Sequence, residues 1–114
     1  MSQARQTEIL DITYSPTNAT IAATPKTVAT SNTVVISANT KRQYVILQNV
    51  GTNPVLLRLG AAASAANYNY VLSKGTGAKD GLGGELKLTN YQGAIHGITE
   101  ASSTVISITE MVKE

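Results

Sequence analysis

From Thr33 to Lys113 the chain is a series of β-type runs cut by turn residues, and this punctuation constrains the fold more than any other feature. "TVVISA" (33–38) is followed by the turn "NTKR" and then by "QYVILQNV" (43–50). "NPVLLRLG" (53–60), "NYNYVLSK" (67–74), "GELKLTN" (84–90), "GAIHGITE" (93–100) and "STVISITEMVK" (103–113) continue the series. Runs of this length separated by turn signals predict an all-β antiparallel sandwich or jelly-roll-like barrel of about seven to eight strands. The stretch Ala61–Ala66 has high helix propensity but is under two turns long, so a single turn or an irregular loop is expected there.

Side-chain alternation is clearest late in the chain. Leu86 and Leu88 oppose Glu85 and Lys87, and Ile106 and Ile108 oppose Ser107 and Thr109. Such strands have one buried and one solvated face, as antiparallel sandwiches do. The runs 43–50 and 53–60 break the rule. Tyr44, Ile46 and Val50 fall on one face and Val45 and Leu47 on the other; Val55, Leu57 and Leu59 face away from Leu56 and its neighbour Arg58. A strand apolar on both sides needs two covers. One is the opposing sheet; the second is expected to be an N-terminal arm, a loop or another chain.

Composition explains why another chain is an attractive cover. The 114 residues include five Tyr but no Phe, Trp or Cys, so aliphatic side chains must do the packing and disulfides and thiolate metal sites are excluded. Oligomerisation is then the expected source of added stability. Residues 1–32 hold two of the three prolines and are rich in Thr, Ala, Ser and Asn, which predicts an extended N-terminal arm before a sandwich domain at 33–114. The alternative is a disordered tail. The run Ile9-Leu10-Asp11-Ile12-Thr13-Tyr14 favours an arm that adds a strand to a neighbour, with Ile9, Leu10, Ile12 and Tyr14 as contacts alongside Tyr44, Ile46, Leu56 and Arg58.

The net charge of +2 comes from scattered residues, with only Lys41 and Arg42 adjacent among the basic ones, so no nucleic-acid partner is expected. No signal-type or membrane-length apolar run is present, which reads as a soluble chain made in a cytoplasm with no membrane partner. The glycine-rich "GTGAKDGLGG" (75–84) departs from a phosphate loop because Asp80 follows Lys79 and a strand follows the loop. It reads as a flexible hairpin loop at the sandwich rim. His96 is the sole histidine, so no His cluster can bind metal, and no nucleophile motif accompanies it. A structural or interface histidine is expected, with no enzymatic activity, cofactor or small-molecule substrate. Tyr68 and Tyr70, two apart in one run, are either packing residues or an aromatic platform for sugars.

The segments "ANTKRQYVILQNVGTNPVLLRLG" and "GGELKLTNYQGAIHGITEASSTVISITEM" carry an ordered set of motifs: Asn-x-x-Arg, an aromatic-aliphatic strand ending in Gln48-Asn49, a turn with Asn53-Pro54-Val55, then Gly-Gly-x-x-x-Leu and Gly-Ala-Ile…Ile-Thr-Glu. Over residues 38–111 this set resembles small virion proteins of tailed bacteriophages and prophages. The resemblance implies a structural virion protein on the capsid exterior, made in the host cytoplasm. A capsid decoration (cement) protein is the leading form, assembling with itself as a homo-oligomer, namely a trimer, and binding the major capsid protein. The alternatives are a minor tail or head-fibre attachment protein and, from another class, a carbohydrate-binding β-module using Tyr68 and Tyr70.

Overall fold

The computed structural model describes residues 19–113, and these form eight strands: β1 (Ala19–Val28), β2 (Thr33–Ile36), β3 (Arg42–Asn49), β4 (Val55–Leu59), β5 (Tyr70–Leu72), β6 (Glu85–Thr89), β7 (Ile95–Ile98) and β8 (Thr104–Lys113). They pair antiparallel into two four-stranded sheets, one in the order β1-β8-β3-β6 and the other β2-β7-β4-β5. Consecutive strands alternate between sheets except at β4 to β5. The all-β sandwich expected from the turn punctuation is present, and its strand order is that of an eight-stranded jelly roll. Residues 61–66 form no helix and connect β4 to β5 irregularly.

Alternation places the core. Val45 and Leu47 of β3, Ile106 and Ile108 of β8, Val55 and Leu57 of β4, Leu72 of β5 and Ile95 of β7 meet between the sheets, joined by Val28 and Val35. Aliphatic interdigitation of this kind leaves little spare volume. At Gly97 of β7 a Cβ would stand 2.9 Å from Val35 Cγ2 and 3.2 Å from Val55 Cγ1, so the sheet reaches its core neighbours only because the side chain is missing.

The composition-based boundary at residue 32 does not divide the described chain. β1 pairs with β8 along its whole length, from Ala19↔Lys113 to Val28↔Thr104, and Val28 is fully buried in the core. Residues 19–32 are therefore part of the sandwich. Thr, Ala and Pro disguise β1 because it is an edge strand. The Val50 amide donates to the Val105 carbonyl, which sets odd-numbered residues of β8 toward β3 and even-numbered ones toward β1. By alternation Ala22, Thr24 and Lys26 bond to β8, while Ile21, Ala23, Pro25 and Thr27 turn their backbone groups to the edge that no described strand pairs. Pro25 thus lacks its N–H where no ladder bond would form. Residues 9–14, which hold Ile9, Leu10, Ile12 and Tyr14, lie outside the described residues.

Two buried polar side chains fasten the ends of β3. At its start Arg42, 1% exposed, donates from Nε to Glu110 Oε2 at 2.8 Å, from Nη1 to the carbonyls of Tyr91 (3.1 Å) and Gly93 (2.8 Å), and from Nη2 to that of Ser37. One guanidinium therefore joins β3, β8 and the β2–β3 and β6–β7 connections. At the other end Asn49, fully buried, donates from Nδ2 to the Asn53 carbonyl at 2.7 Å and accepts at Oδ1 from the Gly51 amide (3.0 Å) and the Thr104 hydroxyl (3.3 Å). Buried polar groups are tolerated when they are bonded in this way.

Candidate assembly surface

The outer face of the β1-β8-β3-β6 sheet is built by the register. Side chains directly opposite one another share a face, so Ile21, Met111, Tyr44 and Thr89 form one cross-strand row. Ala23, Thr109, Ile46 and Lys87 form the next, followed by Pro25, Ser107, Gln48 and Glu85. Met111 is buried in its row, Tyr44 and Ile46 are half-buried, and Ile21 is 59% exposed. Toward the β8 start Val105 is also exposed, at 37%. This face therefore presents aliphatic side chains among hydroxyl-bearing ones beside the edge of β1, which no described strand pairs, with Gln48 and the charged Lys87 and Glu85 toward its β6 side.

The glycine-rich loop 75–84 forms a wall at one end of this face. Gln48 Nε2 donates to the Gly81 carbonyl at 3.2 Å, drawing the loop over the sheet. Between the loop and the floor of Pro25, Val50, Val105 and Ser107 lies an open groove of about 890 Å³, with Lys79 at its rim. Within the loop Asp80 accepts from the Thr76 hydroxyl and from the Leu82 amide, and these bonds hold its carboxyl below the usual carboxylate range. Glycine is required at the loop's return, because a Cβ at Gly83 would collide with the Asn49 carbonyl. The hairpin expected there is instead a crossing loop that joins β5 to β6 of the opposite sheet, and specific bonds and close backbone contact hold it.

The other two-faced strand is covered from within the chain. On the outer face of the second sheet Leu56 lies between Val71 and Ile98, and Arg58 beside His96. The β4–β5 connection folds back across this face. Arg58 Nη1 donates to the Ala62 carbonyl at 3.1 Å, and the Ala63 amide donates to Asn32 Oδ1 at 2.8 Å, next to β2. Leu56 is only 8% exposed and Ala63 4%. Leu56 is thus a buried residue of the chain, which corrects the intermolecular contact expected of it, and the half-buried Arg58 bonds its own loop. The alanines of 61–66 give the loop the low profile that close crossing needs.

Of the eight contact residues expected from sequence, Tyr44 and Ile46 are brought together on the open face and Leu56 and Arg58 are not. Sequence reasoning missed Ile21, whose Thr- and Ala-rich surroundings gave it no strand context, and Val105, which alternates with buried Ile106. Tyr68 and Tyr70 are both exposed, at 47% and 41%. Tyr70 Oη donates to the Glu85 carbonyl at 3.3 Å, so it bridges the edge strands β5 and β6 of opposite sheets instead of standing as a free ring. Among the described residues no three His, Asp or Glu side chains come close enough to share a metal ion.

Comparison with known proteins gives a fold and no family. No family model matches the sequence, and no curated protein matches it. A solved structure of a Bacillus endospore appendage protein, described as one of a novel family of disulfide-linked pili, superimposes with a TM-score of 0.52. The match covers 83% of this chain and 86% of that one, at 13% sequence identity. Identity this low shows a shared fold alone. The likeness is in the sandwich itself, and it carries no information about a phage particle.

Proposed function

We propose that this chain is a structural subunit of a larger protein assembly, joined through the outer face of the β1-β8-β3-β6 sheet and the open edge of β1. The carrying observation is the exposure of Ile21 beside Tyr44, Ile46 and Met111 on a face whose described neighbours leave it open. An apolar patch next to an unpaired strand edge is the kind of surface that a partner covers. The specific form we favour is a capsid decoration protein, a homotrimer on the outside of a phage capsid, because the ordered motifs of 38–111 resemble those of small virion proteins. Each copy would bridge capsid subunits, and many weak contacts would stabilise the assembled shell by mass action. Mass spectrometry of purified virions tests this form: hundreds of copies support decoration, while a handful would favour a tail or fibre-attachment role.

A second reading is a filament subunit, favoured by the fold shared with the pilus protein. This chain has no cysteine, so disulfide links between its copies are not available to it. Electron microscopy of concentrated protein separates the readings, since filaments would support the second and closed oligomers the first.

A further inference from the structure

The outer face of the second sheet carries a side-chain chain that links a titratable group to a covering loop. Asn32, just before β2, uses both ends of its amide. Its Oδ1 accepts from the Ala63 amide at 2.8 Å, and its Nδ2 lies 3.1 Å from His96 Nδ1. The first bond fixes the orientation of the second. A backbone N–H can only donate, so the oxygen must face Ala63 and the NH2 must face the ring. His96 Nδ1 is then an acceptor, and the neutral ring carries its proton on Nε2.

Protonating the ring reverses that contact. Nδ1–H would meet the Asn32 NH2, two donors face to face, and Asn32 can turn its oxygen to the ring only by giving up the Ala63 amide. The groups around the ring add to the cost. Val34 of β2 and the Ala62–Ala63 backbone carry no charge, while Arg58 of β4, directly paired with His96, carries a positive one. Arg58 is also the second anchor of the loop, through the Ala62 carbonyl. Charge on His96 therefore acts directly on the Asn32 attachment of residues 61–66, with the like charge of Arg58, the second anchor, on the paired strand position.

We infer that His96 is a proton-operated latch: neutral, it locks the 61–66 loop over Leu56 through Asn32, and protonated, it releases the loop and uncovers Leu56 and Ile98 beside the already exposed Val71. This device is independent of the assembly role proposed above, because it acts on the opposite sheet. Its amplitude is that of one or two partly exposed hydrogen bonds, which corresponds to roughly threefold to tenfold in the opening equilibrium.

The test is amide hydrogen exchange at Ala63 between pH 7.5 and 5.0, corrected for the intrinsic pH dependence, alongside NMR titration of the His96 ring. Protection of Ala63 is expected to fall by roughly threefold to tenfold as the ring takes up its proton. His96→Gln, which keeps an acceptor but cannot titrate, is expected to remove the dependence. Asn32→Asp is expected to invert it, because a carboxylate accepts from both the Ala63 amide and a charged imidazole. Ala63 protection that stays constant while the wild-type ring titrates would overturn the inference, as would the same fall in His96→Gln or a ring protonated on Nδ1 at neutral pH.

Discussion

Replacing Arg42 by Met probes the claim that a single guanidinium closes one end of the sandwich. The side chain makes four donated contacts, to Glu110, Tyr91, Gly93 and Ser37, from a position that is 1% exposed. Methionine fills much of the same volume and supplies none of the donors. The Glu110 carboxylate, 20% exposed, loses its cation, and three backbone carbonyls lose a partner. Removing one member of a buried pair costs about 3–5 kcal/mol. A small domain holds about 5–15 kcal/mol in total, so the variant is expected to lose a large part of its stability. Arg42→Lys keeps the charge without the fork and is expected to cost about 2–3 kcal/mol, since at least two bonds near the upper end of the net scale are lost. Urea unfolding of the three proteins, followed by far-UV circular dichroism, measures these differences. A loss below about 1 kcal/mol for Arg42→Met would show that water or rearranged loops satisfy the carbonyls equally well, and would refute the keystone argument.

Three further outcomes follow from other sites. The Thr99 hydroxyl is buried with no hydrogen-bond partner among the described residues, so Thr99→Val is expected to stabilise the fold by about 1 kcal/mol, read as a raised melting temperature in calorimetry. Gly97→Ala is expected to cost about 1–3 kcal/mol in chemical denaturation, because its Cβ would press on Val35 and Val55 in a filled core. The Asp80 carboxyl titrates below its ordinary value because of Thr76 and then Leu82. Its contribution to loop order is therefore present above the unfolded value and lost as pH falls through the lowered one. Carboxyl NMR titration is expected to show this lowered midpoint, and Thr76→Val to move it upward.

How much could be read in advance depended on whether a residue's role was local. Ile106 and Ile108 alternate with Ser107 and Thr109, and the structure places them in the core because period-two patterning directly records one buried face. β1 was hidden for the opposite reason. An edge strand with Ile21 exposed and Val28 alone in the core asks little of its side chains, and Pro25 sits where the sheet needs no donor. The burial of Arg42, assigned to the turn "NTKR", and of Asn49, at the end of a run, has no local signature because their partners are carbonyls and hydroxyls far away in sequence, such as Gly93 and Thr104. The two-sided apolar pattern corresponds to a second cover within the chain only in the run 53–60, while in the run 43–50 the described residues leave that face open. It could not distinguish the Ala61–Ala66 loop, which covers Leu56, from the open face around Tyr44 and Ile46, because the pattern records burial and not what provides it.

The central claim is that this open face joins copies of the chain, and solution mass tests it most directly. Light scattering at micromolar concentration is expected to give three times the 11.9 kDa chain mass, with Ile21→Lys shifting the population toward the single chain while the sandwich stays folded. A wild-type protein that runs at 11.9 kDa under these conditions, with Ile21→Lys indistinguishable from it, would contradict the account.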